Sequence, residues 1–189
     1  VPPVAGLEEI EWLDNERALA LTEVPEAMLV IGAGAVGLEF GQMFSRFGAQ
    51  VTIVSSGPAI AGRADAEAAA SLADALRAEG LEVLTSTIVR SVARRDGRIV
   101  AELDVDGESR TVVVDEVLVA SGRRPNLEEF GLEEVGVEVS PQGIVVDAMQ
   151  RTSVPGIWAV GDVVASPQLT PVGAYEGQVA VSDMFGNGV

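Results

Sequence analysis

The 189-residue chain contains no cysteine, no histidine and no lysine. Without cysteine there is no disulfide framework, no thiolate nucleophile and no cysteine metal site. Without histidine the commonest general base and metal ligand is missing too. Long apolar runs are also lacking. Hydrophobic residues make up 48% of the chain and mean hydropathy is +0.31. Yet glycines and charges interrupt every stretch before the roughly 18 residues that a membrane span needs. No signal-peptide pattern follows Val1, so the expectation is a cytoplasmic protein with no membrane partner. Positive charge is scarce: 12 basic residues stand against 29 acidic ones, a net charge of −17. Such a surface repels phosphates, which argues against nucleic acid and anionic membranes as partners. All the basic residues are arginine, which fits either a G+C-rich or a salt-adapted source. A complete domain of this length buries about 70% of its unfolded surface.

What is present centres on residues Leu29 to Glu39, LVIGAGAVGLE. An apolar run stops at Gly32, and three glycines follow at G-x-G-x-x-G spacing: Gly32, Gly34 and Gly37. A helical pattern then runs from Val36 through Phe40, Phe44 and Phe47 to Gly48. This is the strand, turn and helix of a dinucleotide-binding fingerprint. Gly32 permits the turn, Gly34 lets a pyrophosphate approach the backbone, and Gly37 lets the helix pack close to the strand. The helix start offers free N–H groups and partial positive charge to phosphates. The residues expected to hold them are Gly32, Ala33, Gly34, Ala35, Val36 and Gly37. Glycine turns are common, so the motif alone is weak. Its setting strengthens it, because Gln50 to Val54 reads as the next strand of a βαβ unit.

Taken in order, Val1 to Pro25 is a lead-in in which Glu8 to Leu21 has room for a helical turn or two. Strand Met28–Ile31, helix Ala35–Phe47 and strand Val51–Val54 follow. A loop over 55–63 leads to a strong helical pattern over Ala64–Glu79, ended by Gly80. Leu81–Leu84 is a third parallel strand. Residues 88–114 alternate apolar and polar, with turn signals at Asp96-Gly97 and Asp106-Gly107, which predicts a three-stranded antiparallel meander. Glu116–Ala120 returns to the parallel sheet. Beyond Gly122 the pattern predicts a loop-rich, acidic stretch over 123–140, short strands at Ile144–Val146 and Ile157–Val160, and a helix over Tyr175–Phe185. Two short strands and a helix cannot enclose a core. The fold class is α/β, a Rossmann-like domain followed by a partial second one.

Six stretches carry a family resemblance: VIGAGAVGLEF (30–40), VTIV (51–54), RAEGLEVL (77–84), VLVASGRRPN (117–126), RTSVPGIWAVGDV (151–163) and QLTPVGAYEGQVA (168–180). In order and spacing they resemble the central region of the FAD-dependent pyridine nucleotide–disulfide oxidoreductases, with dihydrolipoyl dehydrogenase and mercuric reductase as the nearest kinds. The LTPVGAYEG segment leans towards mercuric reductase. The resemblance implies an NAD(P)-binding domain over 25–122 and an incomplete second segment of a discontinuous FAD domain over 123–189. Residues 1–24 would connect out of that domain's first part. It also implies a homodimeric parent that passes hydride between a nicotinamide dinucleotide and FAD. The family's redox cysteines and His–Glu pair have no counterpart in these residues, so the chain by itself is expected to be catalytically incompetent.

The resemblance carries roles over residue by residue. Glu39 matches a glutamate beside the nicotinamide, and Ala35 a position where some relatives place a bulkier gating residue. Val89 and Gly122 match positions lining the adenosine and nicotinamide sides, although plain core packing explains Val89 equally well. At the end of the second strand an NAD enzyme wants a carboxylate for the ribose hydroxyls. Ser55 and Ser56 stand there instead, which removes the discrimination against a 2′-phosphate. NADP-specific relatives place arginines near Ser56 and near Arg63, and only Arg63 is present. The balance tips slightly to NADP or dual use, although a lone loop arginine is more often simply solvated. In the second block Asp162 matches the aspartate aimed at the ribityl chain of FAD. Gln168, Leu169, Thr170 and Pro171 match the segment passing the flavin, which binds through a half-site only. Competing readings are a split subunit completed by a partner chain and a non-catalytic nucleotide-binding module. A methyltransferase-type fold is remote, because the Gly-Arg-Arg-Pro-Asn and Gly-Asp motifs would then be idle.

Overall fold

The computed structural model describes residues 2–128 and 130–186. Residues 1, 129 and 187–189, which belong to the expected lead-in and flavin segments, lie outside the described residues. The chain forms two compact units, Val1–Gly122 and Arg123–Val189.

In the first unit a short 3-10 turn at Leu7–Glu9 precedes helix α1 (Asn15–Leu19). Asp14 caps α1, accepting a hydrogen bond from the Arg17 N–H at 2.8 Å. Strand β1 (Ala27–Ile31), helix α2 (Ala35–Arg46), strand β2 (Gln50–Val54), helix α3 (Ala66–Ala78) and strand β3 (Glu82–Leu84) follow. Next come β4 (Thr87–Arg95), β5 (Arg98–Val105), β6 (Glu108–Val114) and β7 (Glu116–Val119). Four strands make a parallel sheet in the order β3-β2-β1-β7, and β4-β5-β6 form an antiparallel meander.

Every residue of β1 is buried, as in parallel strands covered on both faces. The two-residue period of the strand divides its side chains. Met28 and Val30 pack with Leu38 and Phe44 of α2 and with Ala73 and Leu76 of α3. Leu29 and Ile31 pack on the other side with Val92, Ile99 and Leu103 of the meander. The meander turns as the Asp-Gly pairs predict. Asp96 and Gly97 have φ 49° and 83°, Asp106 and Gly107 φ 50° and 91°, so both central residues of each turn are left-handed. The cap of α3 is Asp65, whose carboxylate accepts from the Glu67 and Ala68 N–H groups, so the helix starts two residues later than its pattern predicts.

The lead-in is built into this unit. Leu13 donates its N–H to the Val117 carbonyl and accepts from the Val119 N–H, both at 2.8 Å, which extends the sheet beyond β7. Leu7 and Ile10 join the meander-side core, and Leu13 and Ala18 the helix-side core.

The second unit holds helix α4 (Leu132–Val135), a minimal hairpin of β8 (Val139–Ser140) and β9 (Gly143–Ile144), a 3-10 turn at Gly161–Val163 and helix α5 (Thr170–Phe185). Its core is small, built on Val137, Ile144, Ala159 and Val164. Leu169, Tyr175, Val181, Met184 and Phe185 stay exposed. Three expectations need correction. Ile157–Val160 is not a strand: the chain reverses through Pro155 and Gly156, and Trp158 makes a single antiparallel bridge to Arg151. The strand expected at Ile144–Val146 stops at Ile144. Helix α5 begins at Thr170 rather than Tyr175, because Pro171 falls in the first turn, where its missing N–H costs no hydrogen bond.

Candidate functional site

The parallel sheet reverses its strand order at β1, since β2 and β3 lie to one side and β7 to the other. Ligands of such sheets bind outside the carboxyl ends of the strands at this switch point. There β1 runs into Gly32, whose N–H donates to the Val54 carbonyl at 3.0 Å, and β7 runs into Ala120, which donates to the Ile31 carbonyl at 2.8 Å. Gly32 has φ +114°, and a Cβ on it would meet the Ala120 carbonyl oxygen at 2.5 Å. A Cβ on Gly37 would lie 2.0 Å from the Gly32 carbonyl oxygen, whereas one on Gly34 would find nothing within 4 Å. Two glycines therefore serve the fold, and the third keeps a space open.

Gly34 caps α2 without any side-chain hydrogen bond, and Ala35, Val36 and Gly37 form the first turn, leaving unsatisfied N–H groups. The protein is rich in acids, and α1, α3 and α4 each carry one or more in the first turn. Helices α2 and α5 carry none. Ala35 is exposed, and Glu39, one turn further on, is exposed and makes no ion pair among the described residues.

The loop after β2 folds back on the glycine turn, which the sequence did not reveal. Ile60 is buried in the helix-side core, and the Ala61 N–H donates to the Ala33 carbonyl at 2.8 Å. The Ser55 hydroxyl donates to the Ala59 carbonyl at 3.1 Å, so its proton is already used within the loop. Ser56 and Arg63 are exposed, and Arg63 has no ion-pair partner among the described residues. Val89 is buried in the meander-side core, while its neighbour Ile88 faces solvent. Gly122, with φ +151°, lies exposed beyond the end of β7.

In the second unit Asp162 sits on the 3-10 turn, exposed, with Arg123 Nη1 at 3.4 Å from its Oδ2. The turn rests on α5, where a Cβ on Gly173 would come within 3.3 Å of the Gly161 Cα. Gly161 donates its N–H to Glu176 Oε2 at 2.7 Å. Glu176 is only 6% exposed and was missed in the sequence. The available signal was that it is the lone charge in the apolar run from Thr170 to Val181. Gln168 is half-buried, Leu169 caps α5 without a side-chain bond, and Thr170 and Pro171 belong to its first turn rather than to the segment before it. Further along α5, Asp183 accepts from Arg151 through both carboxylate oxygens and from Trp158 Nε1 at 3.0 Å. The Arg151 hydrogen bonds hold the Asp183 carboxyl below the usual range, and Asp183 in turn raises Arg151.

Residues 1–177 match the family model described as pyridine nucleotide-disulphide oxidoreductase. The chain is 38% identical over 176 residues to a dihydrolipoyl dehydrogenase of Geobacillus stearothermophilus, covering 93% of this chain and 37% of the relative. It is 33% identical over 187 residues to a mercuric reductase of Staphylococcus aureus, covering 98% of this chain and 34% of that one. Among solved structures, the HOCl-induced flavoprotein disulfide reductase RclA from Escherichia coli superposes over the whole chain and 43% of its own length, with a TM-score of 0.89 and 29% identity. The chain thus spans between about a third and just over two fifths of the length of these relatives.

Proposed function

The chain belongs to the pyridine nucleotide-disulphide oxidoreductase family, and from that premise we propose that its first unit binds the nicotinamide dinucleotide and its second contributes part of the FAD site. The observation that carries the reading is the α2 N-terminus: without a side-chain cap, free of acids in its first turn, and opening beside a Gly34 with empty space at its Cβ position. That cradle suits a pyrophosphate, which N–H groups and the helix dipole stabilise. Gly32, Ala33, Gly34, Ala35, Val36 and Gly37 would hold it, with Glu39 and Gly122 towards the nicotinamide.

At the adenosine end, Ser55 spends its proton on Ala59, which leaves Ser56 and the exposed Arg63 as the groups able to meet a 2′-phosphate. No carboxylate occupies the end of β2 to repel one. This supports NADP, or dual use, over strict NAD preference.

In the second unit Asp162 would accept hydrogen bonds from ribityl hydroxyls, and the acid-free start of α5 would face the flavin. When bound, the two cofactors supply hydride transfer between nicotinamide and flavin, in either direction. The exposed Leu169, Tyr175, Val181, Met184 and Phe185 support the reading that further protein covers this unit. By resemblance that is the rest of a flavin domain in a homodimer. The test is NADPH fluorescence on mixing with the 189-residue chain, using Gly34→Ala as the disabled control. Equal signals from both proteins would refute the cradle.

A further inference from the structure

The glycine turn contains a peptide that nothing in its own sequence holds in place. Flipping the 33–34 peptide turns on ψ of Ala33 and φ of Gly34, and glycine at 34 makes that rotation cheap. The Ala33 carbonyl is nevertheless held, because it accepts the Ala61 N–H at 2.8 Å. The chain has no cis peptide among its described residues. In a trans peptide the carbonyl and the N–H point in opposite directions. Holding the Ala33 carbonyl towards Ala61 therefore turns the Gly34 N–H the other way, away from the loop.

Ala61 does this from an unusual conformation. Its φ is +47°, the left-handed region that a residue with a Cβ enters only under constraint. The constraint is visible. Ile60 is buried in the helix-side core, the Ala64 N–H donates to the Ala61 carbonyl at 2.7 Å, and the Ser86 N–H donates to the Gly57 carbonyl at 2.8 Å. The loop after β2 is thus pinned on both sides of Ala61.

We propose that Ala61 is a positioning residue for pyrophosphate binding: through the Ala33 carbonyl it sets the Gly34 N–H in the orientation that donates to the anion. The inference rests on the nucleotide-binding reading above. It assigns part of the affinity to a loop residue that makes no contact with ligand.

The test compares the wild-type chain with one carrying L-lactate in place of Ala61, an amide-to-ester exchange that removes the N–H and lets the backbone keep its φ of +47°, and with Ala61→Gly, which keeps the N–H and relieves the strain. Proline is unsuitable, because its ring fixes φ near about −65°. Calorimetry would measure NADPH and 2′-AMP; the latter has no pyrophosphate and reports only displacement of the loop. The expected result is a loss of NADPH affinity of about tenfold or more in the ester, the size of one hydrogen bond to a charged group. Ala61→Gly and all 2′-AMP affinities should stay within about twofold of wild type, a spread well below one such bond. NADPH affinity unchanged in the ester, or NADPH and 2′-AMP lost in parallel, would overturn the inference. If the ester does not fold, Ile60→Ala, which loosens the anchor, is judged by the same criteria. Wild-type chain that binds NADPH while the variants bind equally well sinks this inference alone. Wild-type chain that binds no NADPH sinks the underlying reading and this inference with it.

Discussion

Gly37 packs so closely on the end of β1 that a Cβ there would lie 2.0 Å from the Gly32 carbonyl oxygen. Backbone cannot yield as a flexible side chain can, so this contact fixes how near α2 approaches the sheet and where its N-terminus opens. Gly34, three residues earlier, has no such neighbour. Fold and ligand therefore make separate demands on the three glycines.

Separate demands give separable variants. Gly37→Ala should destabilise the first unit by about 1–3 kcal/mol, the usual cost of overpacking. Gly34→Ala, at φ −81°, should leave stability within about 0.5 kcal/mol yet lower NADPH affinity at least about tenfold. Denaturant unfolding and titration of the same samples check both. Equal destabilisation by the two substitutions would show that the space at Gly34 is not reserved for a ligand.

Arg63 should govern the choice of nucleotide. Arg63→Ala is expected to cut NADPH affinity about tenfold and to leave NADH affinity within about twofold, as for one lost charge-assisted hydrogen bond. Competition binding reads the ratio directly. Parallel loss of both nucleotides would instead make Arg63 a general electrostatic contributor.

Glu176 ties α5 to the turn that carries Asp162, through the Gly161 N–H at 2.7 Å. Glu176→Ala should cost about 1.5–3 kcal/mol, because a half-buried N–H loses a carboxylate acceptor. Glu176→Gln keeps an acceptor oxygen and should cost less. Unfolding followed through Trp158 fluorescence in a Trp12→Phe background separates the two, and equal losses would point to charge rather than hydrogen bonding.

The pairing of Arg151 with Asp183 predicts a pH dependence of known sign. The Asp183 pKa is lowered in the folded chain, chiefly by hydrogen bonds from Arg151. Its stabilising contribution is thus fully present above the unfolded aspartate value of about 3.9 and is lost as pH falls through the lower folded value. Acid unfolding of the wild type should therefore be steeper below about pH 4 than that of Asp183→Asn. Identical acid profiles would remove Asp183 from the account.

Much of the first unit was legible in the sequence because its signals are local. The glycine spacing, the apolar run of β1 and the two Asp-Gly turns each act through neighbouring residues. What was not legible depends on partners far along the chain. Nothing in residues 1–25 shows that Leu13 will pair alongside β7, since an isolated bridge leaves no periodic pattern. The Ala61 to Ala33 hydrogen bond is likewise invisible, because it joins backbone groups. In the second unit the apolar stretch at 157–160 suggested a strand, yet it finds only a one-residue bridge. Apolarity reports burial demand, and pairing needs a neighbour.

The measurement that bears most directly on the central claim is calorimetric titration of the 189-residue chain with NADPH, NADH and FAD in turn. The account predicts saturable NADPH binding, weaker or comparable NADH binding, and little FAD binding by the second unit alone. A folded chain that takes up neither nicotinamide dinucleotide would contradict it. In that case the open space at Gly34 and the acid-free start of α2 would be features of the fold and not of a binding site.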